Sequence, residues 1–261
     1  MRFGRIQNSA ETTRVLHLTD PHLFADREGD LRGTVTYAAL QKVIAHYEAS
    51  DWQADVVALT GDLIQDDSAG AYAHCRKLFS GIDLPVHCVP GNHDVRSMMR
   101  DALPSPPFVY CGSAEFGNWL MVSIDSCSAG RAGGIVTHDE IERMQRIIAA
   151  SAAEHVLVCL HHPPVLMNST WLDSVGLENG EQFLGLLQAN GRVRLTIFGH
   201  VHQHYDAVHG DVRVIATPST CRQFLPGSEK FAVDERPPAY RRISLHASGA
   251  VDAELIWIDD A

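Results

Sequence analysis

The chain has 261 residues, 45% of them hydrophobic and 20% charged, and its formal net charge is −11 at pH 7. This composition excludes global disorder, and the length suits one α/β domain over residues 1–261. The acidic surplus disfavours nucleic acid and anionic membrane surfaces as non-specific partners.

Short apolar strands alternate with helical patterns in the first half of the chain. The residue pattern predicts strands at 15–18, 56–59 and 86–89, with helices at 36–49 and 71–79 between them. Each of these strands stops at a group of Gly, Pro, Asp, Asn or His residues. Alternation of this kind is typical of parallel sheets with helical crossovers.

Strands and helices also alternate in the second half of the chain. Strands are predicted at 119–124, 156–160 and 195–198, with helices at 138–152, capped by Thr137 or His138, and at 181–187. The runs 212–216, 241–245 and 253–258 are β-like, and proline-rich loops occupy 104–107 and 236–238.

Five predicted strands end at a polar cluster. The clusters are Asp20-Pro21-His22, Gly61-Asp62, Gly91-Asn92-His93-Asp94, His161-His162-Pro163 and Gly199-His200-Val201-His202. Ligands of open α/β sheets bind beyond the carboxyl ends of the strands, so the clusters form one site if the strands are neighbours. They offer carboxylate, imidazole and amide groups without thiolate, which indicates iron, manganese, zinc or cobalt rather than a cysteine-type structural zinc.

These five motifs resemble the calcineurin-like metallophosphoesterase superfamily. The resemblance implies a two-sheet β-sandwich flanked by helices on both sides, with two metal ions at the carboxyl ends of the strands. One metal would be held by Asp20, His22, Asp62 and His202. The other would be held by Asp62, Asn92, His161 and His200, so that Asp62 bridges the two metals. His161 is preferred to His162 because the family motif reads His, any residue, Pro.

Segments outside the metal motifs resemble the bacterial class III cyclic 3′,5′-AMP phosphodiesterases over nearly the whole chain. They are His22-Leu23-Phe24-Ala25, Leu63-Ile64-Gln65-Asp66, Trp171-Leu172-Asp173, Ala216-Thr217-Pro218-Ser219-Thr220-Cys221, Gln223-Phe224 and the tail 231–246. The resemblance implies hydrolysis of cyclic AMP to 5′-AMP by in-line attack of a hydroxide shared by two divalent or mixed-valence metals, iron and manganese first, zinc or cobalt as alternatives. It also makes a homodimer plausible.

The departing ribose 3′ oxygen needs stabilisation, and His93 is the candidate for this role. Its ring could donate a proton or stabilise the developing charge, while Asp94 would orient the ring and keep it charged. The alternative is that His93 only buttresses the loop. Asn92, His93 and His202 are the candidate substrate contacts.

The substrate is expected to be a small phosphodiester. Two divalent ions offset by Asp20, Asp62 and hydroxide leave a charge of about +1, which one diester anion neutralises. The large phosphoprotein phosphatases add an arginine in G-D-x-x-D-R-G, whereas the matching run, Gly61 to Asp67, has none.

Three alternatives stay open. A glycerophosphodiester or other small-diester hydrolase of the same superfamily would share every metal motif. A non-enzymatic scaffold with this fold would have lost metal ligands, but all seven positions and His93 are present. A DNA nuclease is disfavoured by the lack of basic excess. Trp171 and Phe224 could stack on a base, although local packing is the commoner role of such aromatics.

A cytoplasmic location is expected. The segment from Met1 to Arg14 lacks the apolar core of a signal peptide, and no apolar run approaches the roughly 20 residues of a membrane helix. The six cysteines form no C-x-x-C pair and are interpreted as reduced thiols.

Overall fold

The computed structural model describes residues 12–259, so most of the segment in which no signal peptide is expected lies outside it. In chain order the elements are β1 (Thr12–Leu18), β2 (Asp30–Leu31), β3 (Thr34–Val35), α1 (Thr36–Glu48), β4 (Val56–Leu59), α2 (Ala69–Phe79), β5 (Val86–Cys88), α3 (Arg96–Ala102), β6 (Phe108–Tyr110), β7 (Ser113–Phe116), β8 (Trp119–Ser123), α4 (His138–Ala150), β9 (His155–Cys159), α5 (Thr170–Asp173), α6 (Gly180–Ala189), β10 (Val193–Phe198), β11 (Tyr205–His209), β12 (Val212–Ala216), β13 (Gln223–Phe224), β14 (Val233–Asp234), β15 (Ala239–His246) and β16 (Val251–Trp257).

Two six-stranded sheets carry the fold. The first has the order β16-β15-β1-β4-β5-β6, and the second has the order β11-β12-β10-β9-β8-β7. Strands β1, β4, β5 and β6 run parallel, as do β12, β10, β9 and β8. The carboxyl ends of each parallel set therefore lie at one edge of its sheet.

The sheets pack face to face, with helices on their outer sides. Val56 and Ala58 of β4 point into the core between the sheets, where they join Leu157 and Ile197. Val57 lies in the core beneath α1 and α2, and a third core lies beneath α4 and α6. Parallel strands are covered on both faces, which is why they read as continuous apolar runs. The two-sheet sandwich flanked by helices is confirmed, while the single-domain organisation stays a prediction.

The long elements match their predicted ranges within a few residues. Helix α4 begins after Thr137, whose hydroxyl accepts a hydrogen bond from the backbone N–H of Glu140 at 3.3 Å. The unpredicted elements are the short ones, including the β2–β3 and β13–β14 hairpins, α3 and α5. Two-residue strands and a four-residue helix show too little periodicity to be recognised. Within residues 12–259, no helix combines the length and apolar character needed to cross a bilayer.

Candidate metal centre

The five predicted clusters meet at one place, but they come from two sheets rather than one. The loops after β1, β4 and β5 leave the first sheet, and those after β9 and β10 leave the second. Hydrogen bonds join the two sets of loops: the N–H of His200 donates to Oδ1 of Asp20 at 3.1 Å, and Nδ1 of His161 lies 2.8 Å from the carbonyl oxygen of Thr60. The site therefore lies where the carboxyl-end edges of both sheets come together.

The ligand-bearing loops turn sharply as each strand ends. Five of the seven predicted ligands have left-handed backbone angles: φ is 53° at Asp20, 46° at His22, 49° at Asp62, 68° at His200 and 48° at His202. Non-glycine residues rarely adopt this region, and such conformations cluster at functional sites. Five ligand-bearing residues are therefore held in an uncommon backbone conformation.

The motif glycines are required by close approach. A Cβ at Gly91 would lie 2.1 Å from Oδ1 of Asp62, and a Cβ at Gly199 would lie 2.0 Å from Oγ1 of Thr19. Ordinary carbon contacts need about 3.5–4.0 Å. Only a residue without a side chain lets these loops interlock.

One group of ligand atoms surrounds Asp20. Its Oδ1 lies 3.5 Å from Nε2 of His202 and 4.0 Å from Nε2 of His22. The two imidazole Nε2 atoms are 3.0 Å apart. All three side chains are buried. A cation placed among these atoms would have one carboxylate and two imidazole ligands within reach.

A second group surrounds His161. Its Nε2 lies 3.2 Å from Nδ1 of His200, 3.3 Å from Oδ1 of Asn92 and 3.5 Å from Oδ2 of Asp62. Asp62 Oδ2 is also 3.7 Å from Nε2 of His22 in the first group. Asp62 thus stands between the two groups, where a bridging ligand would stand.

The hydrogen bonds of the imidazoles show that the residues fit metal ions. His161 donates through Nδ1 to the carbonyl of Thr60 at 2.8 Å, and His202 donates through Nδ1 to the carbonyl of Arg222 at 2.5 Å. A carbonyl can only accept, so Nδ1 carries a proton in both rings, and in the neutral ring Nε2 has a lone pair for a metal ion. Nδ1 of His22 and Nε2 of His200 are buried and have no hydrogen-bond partner among the described residues.

The electrostatics of the cavity favour positive charge. Burial alone would raise the pKa of Asp62, but His161, through its charge and its hydrogen bond, lowers that pKa well below its usual range. The pKa of Asp20 is also lowered, because His202 outweighs burial. Although burial lowers the pKa of an imidazole, Asp62 raises that of His161 to about 9. A ligand oxygen of Asp20 lies within 4.8 Å of one of Asp62. Two buried carboxylates this close require cations nearby.

The geometry distinguishes His161 from His162. Nε2 of His162 donates to the carbonyl of Ala132 at 3.1 Å, so its Nδ1 must accept from the hydroxyl of Ser126 at 2.9 Å. Both ring nitrogens of His162 are therefore occupied. In His161 only Nδ1 is bonded to a backbone carbonyl, so Nε2 is available to a metal ion. This difference supports the preference for His161 as the ligand.

Asn92 and His93 lie at the opening and are both half-buried. The N–H of His93 donates to Oδ1 of Asp62 at 2.8 Å, and its ring lies edge-on to that of His22 with centroids 5.0 Å apart. The imidazole of His93 is thus next to the ligand groups and reachable from outside. His202 is buried behind it.

Asp94 does not orient the ring of His93, contrary to the prediction, because its hydrogen bonds go elsewhere. Its Oδ2 accepts hydrogen bonds from the N–H groups of Leu63 and Gly91, and its Oδ1 accepts one from the hydroxyl of Tyr72 at 2.9 Å. Burial, with the charge of Asp62 nearby, raises the pKa of Asp94 to about 7. The carboxyl group ties two ligand loops to α2 instead of holding a charge beside His93.

The sequence did not predict several residues that support the motif side chains. The hydroxyl of Thr19 donates to Oδ2 of Asp20 at 2.6 Å, Ser126 supports His162, and Tyr72 braces Asp94. Thr19 directly precedes the Asp20-Pro21-His22 motif, and this position is the one feature of the sequence that could have pointed to it. Ser126 and Tyr72 lie far from their partners along the chain, so no local pattern marks them.

A family profile described as calcineurin-like phosphoesterase matches residues 13–204. The chain belongs to the calcineurin-like phosphoesterase family. The matched range contains all seven predicted ligands together with His93 and Asp94. The recognition made from the five motifs is confirmed.

Similar family members extend over almost the whole chain. A Pseudomonas aeruginosa protein named 3′,5′-cyclic adenosine monophosphate phosphodiesterase CpdA is 34% identical over 246 residues, covering 94% of this chain and 90% of that protein. The Escherichia coli K12 protein of the same name is 32% identical, with 95% and 90% covered. A dimetal phosphatase structure from Danio rerio has the same fold, with a TM-score of 0.62, 16% identity, and 95% and 99% covered.

Proposed function

We propose that this chain is a two-metal phosphodiesterase that hydrolyses cyclic 3′,5′-AMP to 5′-AMP. The convergence of seven buried or half-buried side chains with oxygen and nitrogen donors at one edge of the sandwich carries the proposal. The substrate comes from similarity to the two proteins named as cyclic AMP phosphodiesterases, which cover at least 90% of both chains. These relatives favour cyclic AMP over glycerophosphodiesters.

The ligand assignment is part of the proposal. Asp20, His22, Asp62 and His202 would hold one metal, and Asp62, Asn92, His161 and His200 the other. When bound, two such ions neutralise phosphate charge and make water a nucleophile near neutral pH. Iron and manganese are proposed first, with zinc or cobalt as alternatives, because the donors are oxygen and imidazole nitrogen.

The chain's own groups then handle the substrate at the opening of the site. The half-buried amide of Asn92 can donate to a phosphate oxygen, with His202 as a further contact. An imidazole N–H of His93 can deliver its proton to the departing 3′ oxygen. Because the backbone of His93 is fixed to Asp62, the ring keeps its position beside the ligand groups. Asp94 acts through the loops and not on the substrate.

The local charge fits a diester. Residues 61–67, the run that provides Asp62, contain no arginine or lysine. A dianionic monoester would therefore lack the additional cation that phosphoprotein phosphatases supply from this run. The net charge of −11 further disfavours nucleic acid as a partner.

A substrate panel tests the proposal. Protein stripped of metal and reloaded with manganese or iron is assayed with cyclic 3′,5′-AMP, glycerophosphodiesters and a 2′,3′-cyclic nucleotide. The highest kcat/KM is expected for cyclic AMP, with 5′-AMP as the product. A clearly higher kcat/KM for another diester would leave the metal centre intact and overturn the cyclic AMP assignment.

His93 has its own test. His93→Ala should retain both metals, since it removes no proposed ligand, and should lose about 10²–10⁴-fold in turnover. His138→Ala is the matched control, because the side chain of His138 is 82% exposed on α4. Near-normal turnover of His93→Ala would mean that His93 only buttresses its loop.

The cytoplasmic location and the homodimer remain proposals. All six cysteines are free thiols in the structure, which agrees with a reducing compartment. Size-exclusion chromatography with light scattering tests the dimer directly.

A further inference from the structure

An aromatic cluster stands beside the metal centre, formed by Trp171, Phe224 and Phe231. The three rings contact each other edge to face, with centroid distances of 5.3 Å, 5.1 Å and 5.2 Å. They come from α5, from β13 and from the loop between β13 and β14. Phe231 is 39% exposed, although a ring in a purely structural cluster is expected to be covered.

The aromatic cluster is attached directly to a proposed metal ligand. The ring of Phe224 stacks on that of His202, with centroids 4.0 Å apart and planes at 9°. The N–H of Phe224 also donates to the carbonyl of His202 at 3.2 Å. The β13–β14 pairing places Phe224 opposite Val233, which holds the hairpin in register. The cluster thus begins at the metal centre and ends one ring farther out, at Phe231.

Trp171 and Phe224 serve as the support of the cluster. The indole Nε1 of Trp171 donates to the hydroxyl of Ser228 at 3.1 Å, and Ser169 donates to the carbonyl of Ser228 at 2.6 Å. These bonds fix the loop that carries Phe231. One face of Phe224 is already occupied by His202. Phe231 is therefore the ring of the cluster whose surface a ligand can contact.

The guanidinium group of an exposed arginine covers the ring of Phe231. The guanidinium carbon of Arg32 lies 4.2 Å from the ring centroid. Arg32 is exposed, at the turn between β2 and β3, where it and Gly33 have positive φ angles of 52° and 88°. An exposed cation–π contact is weak. A flat ligand can displace the guanidinium, which can then cover the outer face of that ligand.

We propose that Phe231 is the stacking platform for the purine base of the substrate, with Arg32 closing over the base. This inference rests on the proposed function, which places the phosphate at the metals. In a cyclic nucleotide the base lies one ribose away from the phosphate, and Phe231 is separated from His202 by the single ring of Phe224. Stacking reads the face of a base rather than its edge, and a purine offers a larger face than a pyrimidine. The platform therefore favours purine nucleotides and does not distinguish adenine from guanine.

The test separates the base from the phosphate. Dissociation constants of 5′-AMP and ribose 5-phosphate are measured by calorimetry on the metal-loaded protein, so that turnover is not required. Because stacking on an aromatic side chain is worth a factor of roughly 10 or more, 5′-AMP should bind at least about tenfold more tightly. Phe231→Leu should bring the ratio of the two dissociation constants close to 1 without changing the affinity for ribose 5-phosphate. Phe231→Trp should keep the preference for 5′-AMP.

Two further variants sharpen the test. Arg32→Ala should lower the 5′-AMP preference by a smaller factor, about threefold. Val208→Ala is the control, since Val208 is a 68% exposed apolar residue on β11, and the ratio should stay unchanged.

The outcomes are distinct. If Phe231→Leu keeps the wild-type ratio of the two dissociation constants, the platform is overturned. An equal loss of affinity for 5′-AMP and ribose 5-phosphate also overturns it, because the ring would then only support the hairpin. Failure of the wild-type protein to hydrolyse cyclic AMP would instead refute the proposed function. Hydrolysis of cyclic AMP with no 5′-AMP preference would refute the platform alone.

Discussion

Replacing Gly91 with alanine should damage both the stability and the metal centre. Gly91 does not have a positive φ angle, so its backbone conformation is open to alanine. Space is the obstacle: the added Cβ would lie 2.2 Å from the backbone N of Asp62 and 2.1 Å from its Oδ1. The perturbation therefore acts directly on the proposed bridging ligand.

The size of the effect follows from what the methyl group meets. The overlap exceeds 1 Å, because ordinary contacts need about 3.5–4.0 Å. Overpacking costs about 1–3 kcal/mol when side chains can adjust. A backbone nitrogen at the end of β4 cannot yield in that way, so we expect the upper end, about 3 kcal/mol. In a chain of this size that lowers Tm by roughly 6–12 °C.

Thermal unfolding of metal-free protein and metal analysis after reconstitution test this expectation. Gly91→Ala should melt at a lower temperature without metal and should bind less than the wild-type amount. Gly185→Ala is the matched control: Gly185 lies exposed on α6 with nothing within 4 Å of an added Cβ. It should be neutral or stabilising, by about 0.5–1 kcal/mol.

A Gly91→Ala protein with the melting temperature and metal content of the wild type would refute the reasoning. It would show that the loops after β4 and β5 can separate without disturbing Asp62. Loss of metal with an unchanged melting temperature of the metal-free protein would place the effect on ligand geometry alone and remove the stability argument.

Two other predictions follow from single residues. Asp62→Ala should lose both metals or all activity, because Asp62 stands between the two ligand groups; an active, metal-loaded variant would disprove the bridge. Burial lowers the pKa of His87 to about 4, so below pH 6.5 the unfolded chain binds a proton that the folded chain excludes. Stability should fall as the pH drops from about 6.5 towards 4, with about 2 kcal/mol lost at pH 5 from this residue. Urea unfolding at pH 7.5 and pH 5 should show that His87→Leu loses less stability on acidification than the wild type; an equal loss would exclude His87 as a source.

The sequence by itself determined the parallel strands and the residues at their ends. A parallel strand covered on both faces is apolar at most positions, and the run 56–59 shows this without any tertiary information. The polar cluster that follows each run is equally local. Glycines in the clusters were also visible, but the reason for Gly91 and Gly199 appears only in the folded loops.

The tertiary structure decided what these residues contact. The division of the five loops between two sheets depends on strand pairing between distant segments, which periodicity does not encode. The partners of Asp94 come from α2 and from two loops, so its position next to His93 along the chain indicated the wrong partner. Trp171 and Phe224 were suggested as base contacts, yet the exposed ring of their cluster is Phe231. Local sequence fixes which chemical groups stand at the strand ends, whereas contacts between residues far apart in the chain fix their orientation, and those contacts exist only once the two sheets have packed.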